Sequence, residues 1–93
     1  INSDRAPYVK HKLRDKISRC SVTVCLIGSR TYASEWVDWE VIESVEQGKG
    51  LLGIRLKGSG GNGPPSLREA RARIIDWEPE QFEKQIRRAA LRR

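Results

Sequence analysis

Alternating polar and apolar stretches along the chain predict a mixed α/β order. Residues 22–27 and 51–56 are almost continuously apolar, which is typical of parallel strands that are buried on both faces. Three other stretches repeat apolar positions every three or four residues, as amphipathic helices do. These stretches are residues 7–19, 34–47 and 79–91. Strand, helix and strand with short connections predict a βαβ unit with parallel strands and a right-handed crossover.

Polar and glycine-rich segments mark where these elements end. Ser34 is a predicted N-cap for the second helix, with Thr31 as the competing cap. Residues 58–66 form a loop rich in Gly and Pro, and they contain a literal G-x-G-x-x-G. Because Pro64-Pro65 follows where the helix of a dinucleotide fingerprint should begin, we interpret this segment as a flexible surface loop.

The end of the chain predicts smaller elements before the last helix. Residues 67–72 are predicted as a short helical turn and residues 74–75 as a brief edge strand. The apolar face of the last helix is predicted to consist of Phe82, Ile86 and Ala89 or Ala90.

A sheet of so few strands is not expected to stand alone. We therefore expect one domain over residues 1–93 whose sheet lacks at least one strand N-terminal to Ile1. The open sheet edge would then favour dimerisation or aggregation. The sequence contains no Met, which agrees with a chain that begins inside a longer protein.

Net charge adds a candidate partner. The chain carries 18 Lys and Arg against 12 Asp and Glu, a formal charge of +6, concentrated in residues 5–19 and 87–93. Such charge can bind nucleic acid or an acidic membrane surface. Because aromatic residues are not interleaved with the basic clusters, we prefer a solvated helix face and keep nucleic-acid binding as a third hypothesis. Apolar runs stay well short of the roughly 20 residues that a membrane span needs, so no membrane partner is expected.

The few thiol and imidazole groups limit the chemistry. Cys20 and Cys25 are the cysteines and His11 is the one histidine. Two cysteines predict neither a disulfide framework nor a metal site, which fits a reducing, cytoplasmic setting. A Ser-His or Cys-His catalytic mechanism is therefore not expected, since His11 would be its one candidate base.

Glu40 is the residue that the spacing brings forward. It follows Trp36 by four positions on the second helix, so the two side chains share a face. We expect that face to look toward the carboxyl end of strand 22–27, a common ligand position in α/β proteins. Asp38 should lie on roughly the opposite face, so no paired carboxylate is predicted. Spacing alone favours a glutamate stabilised by the helix dipole over a catalytic one.

The ordered set Ser29-x-x-Tyr32-x-Ser34-x-Trp36-Val37-x-x-Glu40 after a strand resembles the third strand and following helix of a TIR domain. Residues 48–54, Gly-Lys-Gly-Leu-Leu-Gly-Ile, and the tail from Ile75 to Ile86 are similar to the TIR-like family of bacteria and archaea, which includes the sensor subunits of Thoeris antiphage systems. The resemblance implies a three-layer, flavodoxin-like α/β fold with a parallel sheet. It also implies that the family's first strand and helix lie before Ile1, so that the domain is truncated at its N-terminus.

The same resemblance implies an activity. Many members of the family cleave NAD at the bond between nicotinamide and ribose, and the products are ADP-ribose or a cyclic ADP-ribose signal in bacterial antiviral defence. Glu40 occupies the position of the catalytic glutamate, and NAD would be the substrate rather than a cofactor. The implied pocket residues are Ser29, Arg30, Tyr32, Ser34 and Trp36, with Arg30 as a phosphate contact.

The resemblance also implies partners and an alternative. Homotypic association between TIR domains is expected, and so is a downstream effector protein that responds to the nucleotide product. Many TIR domains work as adaptors without catalysis, so a non-catalytic interaction module is the alternative to an NAD-consuming enzyme.

Overall fold

A computed structural model describes residues 3–92. It contains four helices and three strands, and a 3-10 turn covers Thr31–Ala33. The helices are α1 (Ala6–Ser18), α2 (Glu35–Glu46), α3 (Pro65–Glu69) and α4 (Pro79–Arg92), and the strands are β1 (Val22–Ile27), β2 (Gly50–Arg55) and β3 (Arg73–Ile75). The predicted elements are confirmed, although α3 begins earlier and is shorter than residues 67–72. Pro65 at its first position is suited to start a helix because its fixed φ is already helical.

The sheet is parallel throughout, in the order β1-β2-β3. Val22 pairs with Gly50 at one end of the β1–β2 ladder, and Ile27 pairs with Arg55 at the other. Within the described residues, β1 and β3 are therefore the two edges of the sheet. This arrangement confirms the predicted α/β class with parallel strands.

Helices cover both faces of the sheet, which makes three layers. On one face, Cys25 and Ile27 of β1 pack with Val41 of α2 and Leu67 of α3. On the other face, Leu52 and Ile54 of β2 pack with Ala89 of α4, and Phe82 joins them. Alternate strand residues supply the two cores, as the period of two in a strand requires.

Helix α1 packs beside α2 through polar and aromatic groups. Arg14 Nε donates to the Glu43 carboxylate at 2.7 Å, and Glu43 is only 8% exposed. Gln47, the C-cap residue of α2, donates both to the Glu43 carboxylate and to the Arg14 carbonyl. A carboxylate this deeply buried needs such donors, because an unpaired buried charge is strongly destabilising.

Two apolar helix residues that fit the helical repeat are exposed. The structure exposes Val45 of α2 by 50% and Ile86 of α4 by 37%, and it buries Ser44 and Gln85 instead. The exposed and the buried residue of each pair both fit a helical repeat, so periodicity alone could not predict which of the two is buried. Ser44 is accepted in the core because its hydroxyl bonds across to β1.

Along residues 3–92 every helix is too short or too polar to cross a bilayer.

Candidate functional site

A groove runs between α2 and the edge strand β1, and the Glu40 side chain lies in its wall. Its volume is about 250 Å³. The lining residues are Thr23, Val24, Cys25, Leu26, Val37, Glu40 and Val41. The groove therefore follows the middle of β1, below the carboxyl end of the strand where we expected Glu40 to face.

The Glu40 carboxyl group is half-buried in the groove. Burial raises the pKa of Glu40 above its ordinary value. Burial, and in second place the nearby Glu40 charge, raise the pKa of Cys25 to about 11, so its thiol is neutral at physiological pH. A carboxylate between an apolar wall and a neutral thiol interacts more strongly with a developing positive charge than an exposed carboxylate does.

Asp38 points away from this groove. Its carboxylate accepts a hydrogen bond from the Ser66 backbone N–H at 3.3 Å, in the first turn of α3. The structure thus confirms that Asp38 is not a partner carboxylate for Glu40, and it shows a role that the sequence analysis missed. The contact could have been predicted from the free N–H groups in the first turn of a helix, which need an acceptor from outside that helix.

The turn between β1 and α2 is held by two hydroxyl groups. Thr31 Oγ1 accepts from the Gly28 N–H at 2.7 Å and closes the turn at the end of β1. Ser34 Oγ accepts from the Val37 N–H at 3.2 Å, so Ser34 is the N-cap and Thr31 is not. The two residues that competed for one role therefore have separate structural roles.

The structure places the other predicted pocket residues above the groove, on this turn and the first turn of α2. Ser29, Arg30 and Tyr32 are exposed, with Tyr32 at 66%, while Ser34 and Trp36 are half-buried. Glu40 is the member of the predicted set that lines the groove. The predicted site is thus an exposed turn next to a more deeply placed carboxyl group.

Trp36 is oriented by a second tryptophan that the sequence analysis did not select. The Trp36 and Trp39 rings meet edge to face, with centroids 6.1 Å apart and planes at 76°. Lys10 and Arg14 of α1 lie over the Trp39 ring at 5.7 and 5.3 Å from its centroid. Such contacts between cations and aromatic faces are attractive, so α1 helps to hold the tryptophan pair. The i, i+3 spacing of the two tryptophans was the signal available in the sequence.

Acidic, thiol and imidazole groups do not gather elsewhere in the described chain. Across residues 3–92 the structure shows no group of three or more His, Cys, Asp or Glu side chains that could hold a metal ion.

The three layers of helices around a parallel sheet are those of flavodoxin-like α/β domains, the fold class that the sequence predicted. The model of the family described as "Thoeris protein ThsB, TIR-like domain" matches residues 1–60, and the chain belongs to this family. The matched range includes Glu40 and all five predicted pocket residues. The family resemblance inferred from the sequence is therefore confirmed.

One curated relative comes from Bacillus cereus (strain MSX-D12). It is named "Putative cyclic ADP-D-ribose synthase ThsB1" and is 35% identical over 48 residues. The aligned stretch covers 52% of this chain and 25% of that protein. The chain therefore matches about a quarter of the length of this relative.

Proposed function

We propose that this domain cleaves NAD at the nicotinamide–ribose bond and gives ADP-ribose or a cyclic ADP-ribose signal in bacterial antiviral defence. The observation that carries the proposal is the Glu40 carboxyl group, partly buried in a groove beside β1 with a raised pKa. The family match over residues 1–60 and the name of the Bacillus cereus relative support the same reaction class.

The chemistry suits a single carboxylate. The bond from the ribose carbon to the pyridinium nitrogen breaks with both electrons going to nitrogen, so the cationic ring leaves as neutral nicotinamide. No acid is needed to protonate it. The ribose is left as an oxocarbenium-like cation, which the Glu40 carboxylate stabilises at close range. Attack by water, with loss of a proton, gives ADP-ribose; attack by a nitrogen of the substrate's own adenine gives a cyclic product.

The exposed turn supplies the remaining contacts in this proposal. In this proposal Arg30 binds the diphosphate, since a guanidinium binds phosphate oxygens through paired N–H groups. Ser29 and Tyr32 present hydroxyl groups at the same turn, Ser34 lies at the start of α2, and Trp36 offers an aromatic wall. The product would be read by a downstream effector protein.

The test is NAD consumption by the full-length protein that carries this domain. Wild type should release nicotinamide, and Glu40→Gln should slow the release by about 100-fold or more, the usual loss when one electrostatic stabiliser is removed. Glu46→Gln is the matched control, because Glu46 is exposed at the far end of the same helix. Equal turnover by wild type and Glu40→Gln would overturn the proposal, and so would a wild type that is inactive even under conditions that promote assembly.

The exposed edge of β1 favours a second candidate, a TIR-type interaction module without catalysis. Val24 and Leu26 are 37% and 52% exposed on this edge strand, and an unpaired strand edge readily pairs with another chain. This candidate predicts homotypic association that depends on concentration and survives Glu40→Ala, without nicotinamide release. Analytical ultracentrifugation alongside the NAD assay separates the two functions.

A further inference from the structure

The most deeply buried hydroxyl group near the groove belongs to Ser44. Its residue is 0% exposed, between α2 and β1. Ser44 Oγ lies 2.8 Å from the Glu40 carbonyl oxygen and 2.7 Å from Thr23 Oγ1. Because a hydroxyl has one hydrogen and two acceptor sites, both contacts are satisfied when Thr23 donates to Ser44 and Ser44 donates to the Glu40 carbonyl.

This hydroxyl pair joins the helical turn that carries Glu40 directly to the edge strand. A serine that bonds the carbonyl four residues earlier competes with the backbone bond and tends to bend the helix there. Val41, beside Glu40, is buried at 1% and anchors the same turn by apolar contact. Apolar contacts tolerate sliding, whereas two hydrogen bonds of fixed length define where the turn stands relative to β1.

The partner of Ser44 belongs to the groove itself. Thr23 and Glu40 both line the groove, one from the strand and the other from the helix. The bridge from Thr23 through Ser44 to the Glu40 carbonyl therefore sets the distance between the two walls close to the Glu40 side chain.

We propose that Ser44, acting with Thr23, is a positioning residue that holds the Glu40 carboxyl group in its productive place. The inference rests on the proposed function of Glu40. Ser44 touches no substrate; it acts through the backbone of Glu40.

A buried serine of α3 that bonds a different carbonyl of α2 provides a matched control. Ser66 of α3 is 6% exposed, and its hydroxyl donates to the Asp38 carbonyl of α2 at 3.5 Å. It has the same chemistry and similar burial, and it is not among the residues that line the groove. A loss that reflects general destabilisation would appear in both serine variants.

The experiment compares kcat and KM for NAD, and Tm, in the full-length protein. Ser44→Ala and Thr23→Val should each lower kcat about tenfold with KM within twofold of wild type, since sub-ångström misplacement of a reacting group lowers the rate without weakening binding. The variant that carries both substitutions should lose no more kcat than either single variant, because each substitution alone already breaks the same hydrogen-bonded bridge. Thr23→Ser should restore kcat, and Ser66→Ala should keep it.

The outcomes separate this inference from the proposed function. If Glu40→Gln is inactive while Ser44→Ala and Thr23→Val keep kcat within twofold of wild type, the positioning role is refuted and the catalytic role stands. The positioning role is also refuted if Ser44→Ala and Ser66→Ala lose kcat in the same proportion to their loss of Tm. Turnover that is unchanged in Glu40→Gln would overturn both. Thr23→Val keeps the side-chain shape, so its kcat tests the positioning role if Ser44→Ala does not fold.

Discussion

Helix α4 meets the sheet at a point where only a glycine fits. A Cβ placed on Gly50 of β2 would lie 2.2 Å from the Ala89 carbonyl oxygen and 2.7 Å from its carbonyl carbon. Both atoms are backbone, so no rotamer change relieves the clash. Gly50→Ala would therefore require α4 or the start of β2 to move.

The size of that movement sets the expected cost. Ordinary contacts begin at 3.4 Å, so the Ala89 oxygen must retreat by at least about 1.2 Å, and overpacking that shifts the backbone costs about 1–3 kcal/mol. We expect Gly50→Ala to lower the unfolding free energy by about 3 kcal/mol, from a total of roughly 5–14 kcal/mol for a domain of this size. The melting temperature should fall by about 12–24 °C.

Two other glycines test the reasoning with the same chemical change. A Cβ on Gly53 would meet side-chain ends of Leu67, Ile27 and Ile74 at 3.0–3.1 Å, which can give way, so Gly53→Ala should cost about 1 kcal/mol. Gly60 has nothing within 4 Å, and Gly60→Ala should be neutral or slightly stabilising.

Urea unfolding followed by circular dichroism measures all three variants. The expected order of loss is Gly50, then Gly53, then Gly60, with similar m-values if the native state stays equally compact. A Gly50→Ala variant within 0.5 kcal/mol of Gly60→Ala would refute the close approach of α4 to β2.

Three other changes test the charges and the cap. Because burial raises the pKa of Glu40, its ionised form is disfavoured in the folded state. The free energy of unfolding should then fall as the pH rises from about 4.3, the pKa of a glutamate in the unfolded chain, through the higher pKa of Glu40 in the folded domain. Glu40→Gln should therefore be more stable than wild type at pH 7 and lose that advantage below about pH 4. Arg14→Ala removes the 2.7 Å partner of the Glu43 carboxylate and should cost about 2 kcal/mol, less than a fully buried pair because the Arg14 side chain is 52% exposed. The exposed ion pair of Arg19 is the control, and Arg19→Ala should cost under about 1 kcal/mol; equal losses would contradict the argument. Ser34→Ala removes the N-cap acceptor of α2 and should cost about 1 kcal/mol in urea unfolding, whereas no loss would show that the cap is dispensable.

Local chemistry made most of the elements predictable. The apolar run at residues 22–27 coincides with β1, and the helical repeats place α1, α2 and α4 within a residue or two. Ser34 was predictable as a cap because its acceptor role involves an N–H only three residues away. The family could be recognised for a related reason, since its motif lies on one continuous turn and helix, from Ser29 to Glu40.

Other features depend on what each side chain meets across the fold. Val45 and Ser44 fit the helical repeat of α2 equally well, and a hydroxyl on β1 decided that Ser44 is buried. Glu40 shares a face with Trp36 by spacing alone, but its position beside the middle of β1, with Cys25 in the opposite wall of the groove, follows from how α2 lies along the strand.

The sequence by itself determined the order of the elements, the parallel βαβ unit and the helix that carries Glu40. Each of these follows from periodicity and from contacts over a few residues, which a single chain segment encodes completely. Only the tertiary structure decided the walls of the groove, the bridge from Thr23 to Ser44 and the contact between Gly50 and Ala89. Those contacts join separate segments of the chain, 21 residues apart for Thr23 and Ser44, and their geometry depends on how the helices and the sheet pack against one another to fill both cores.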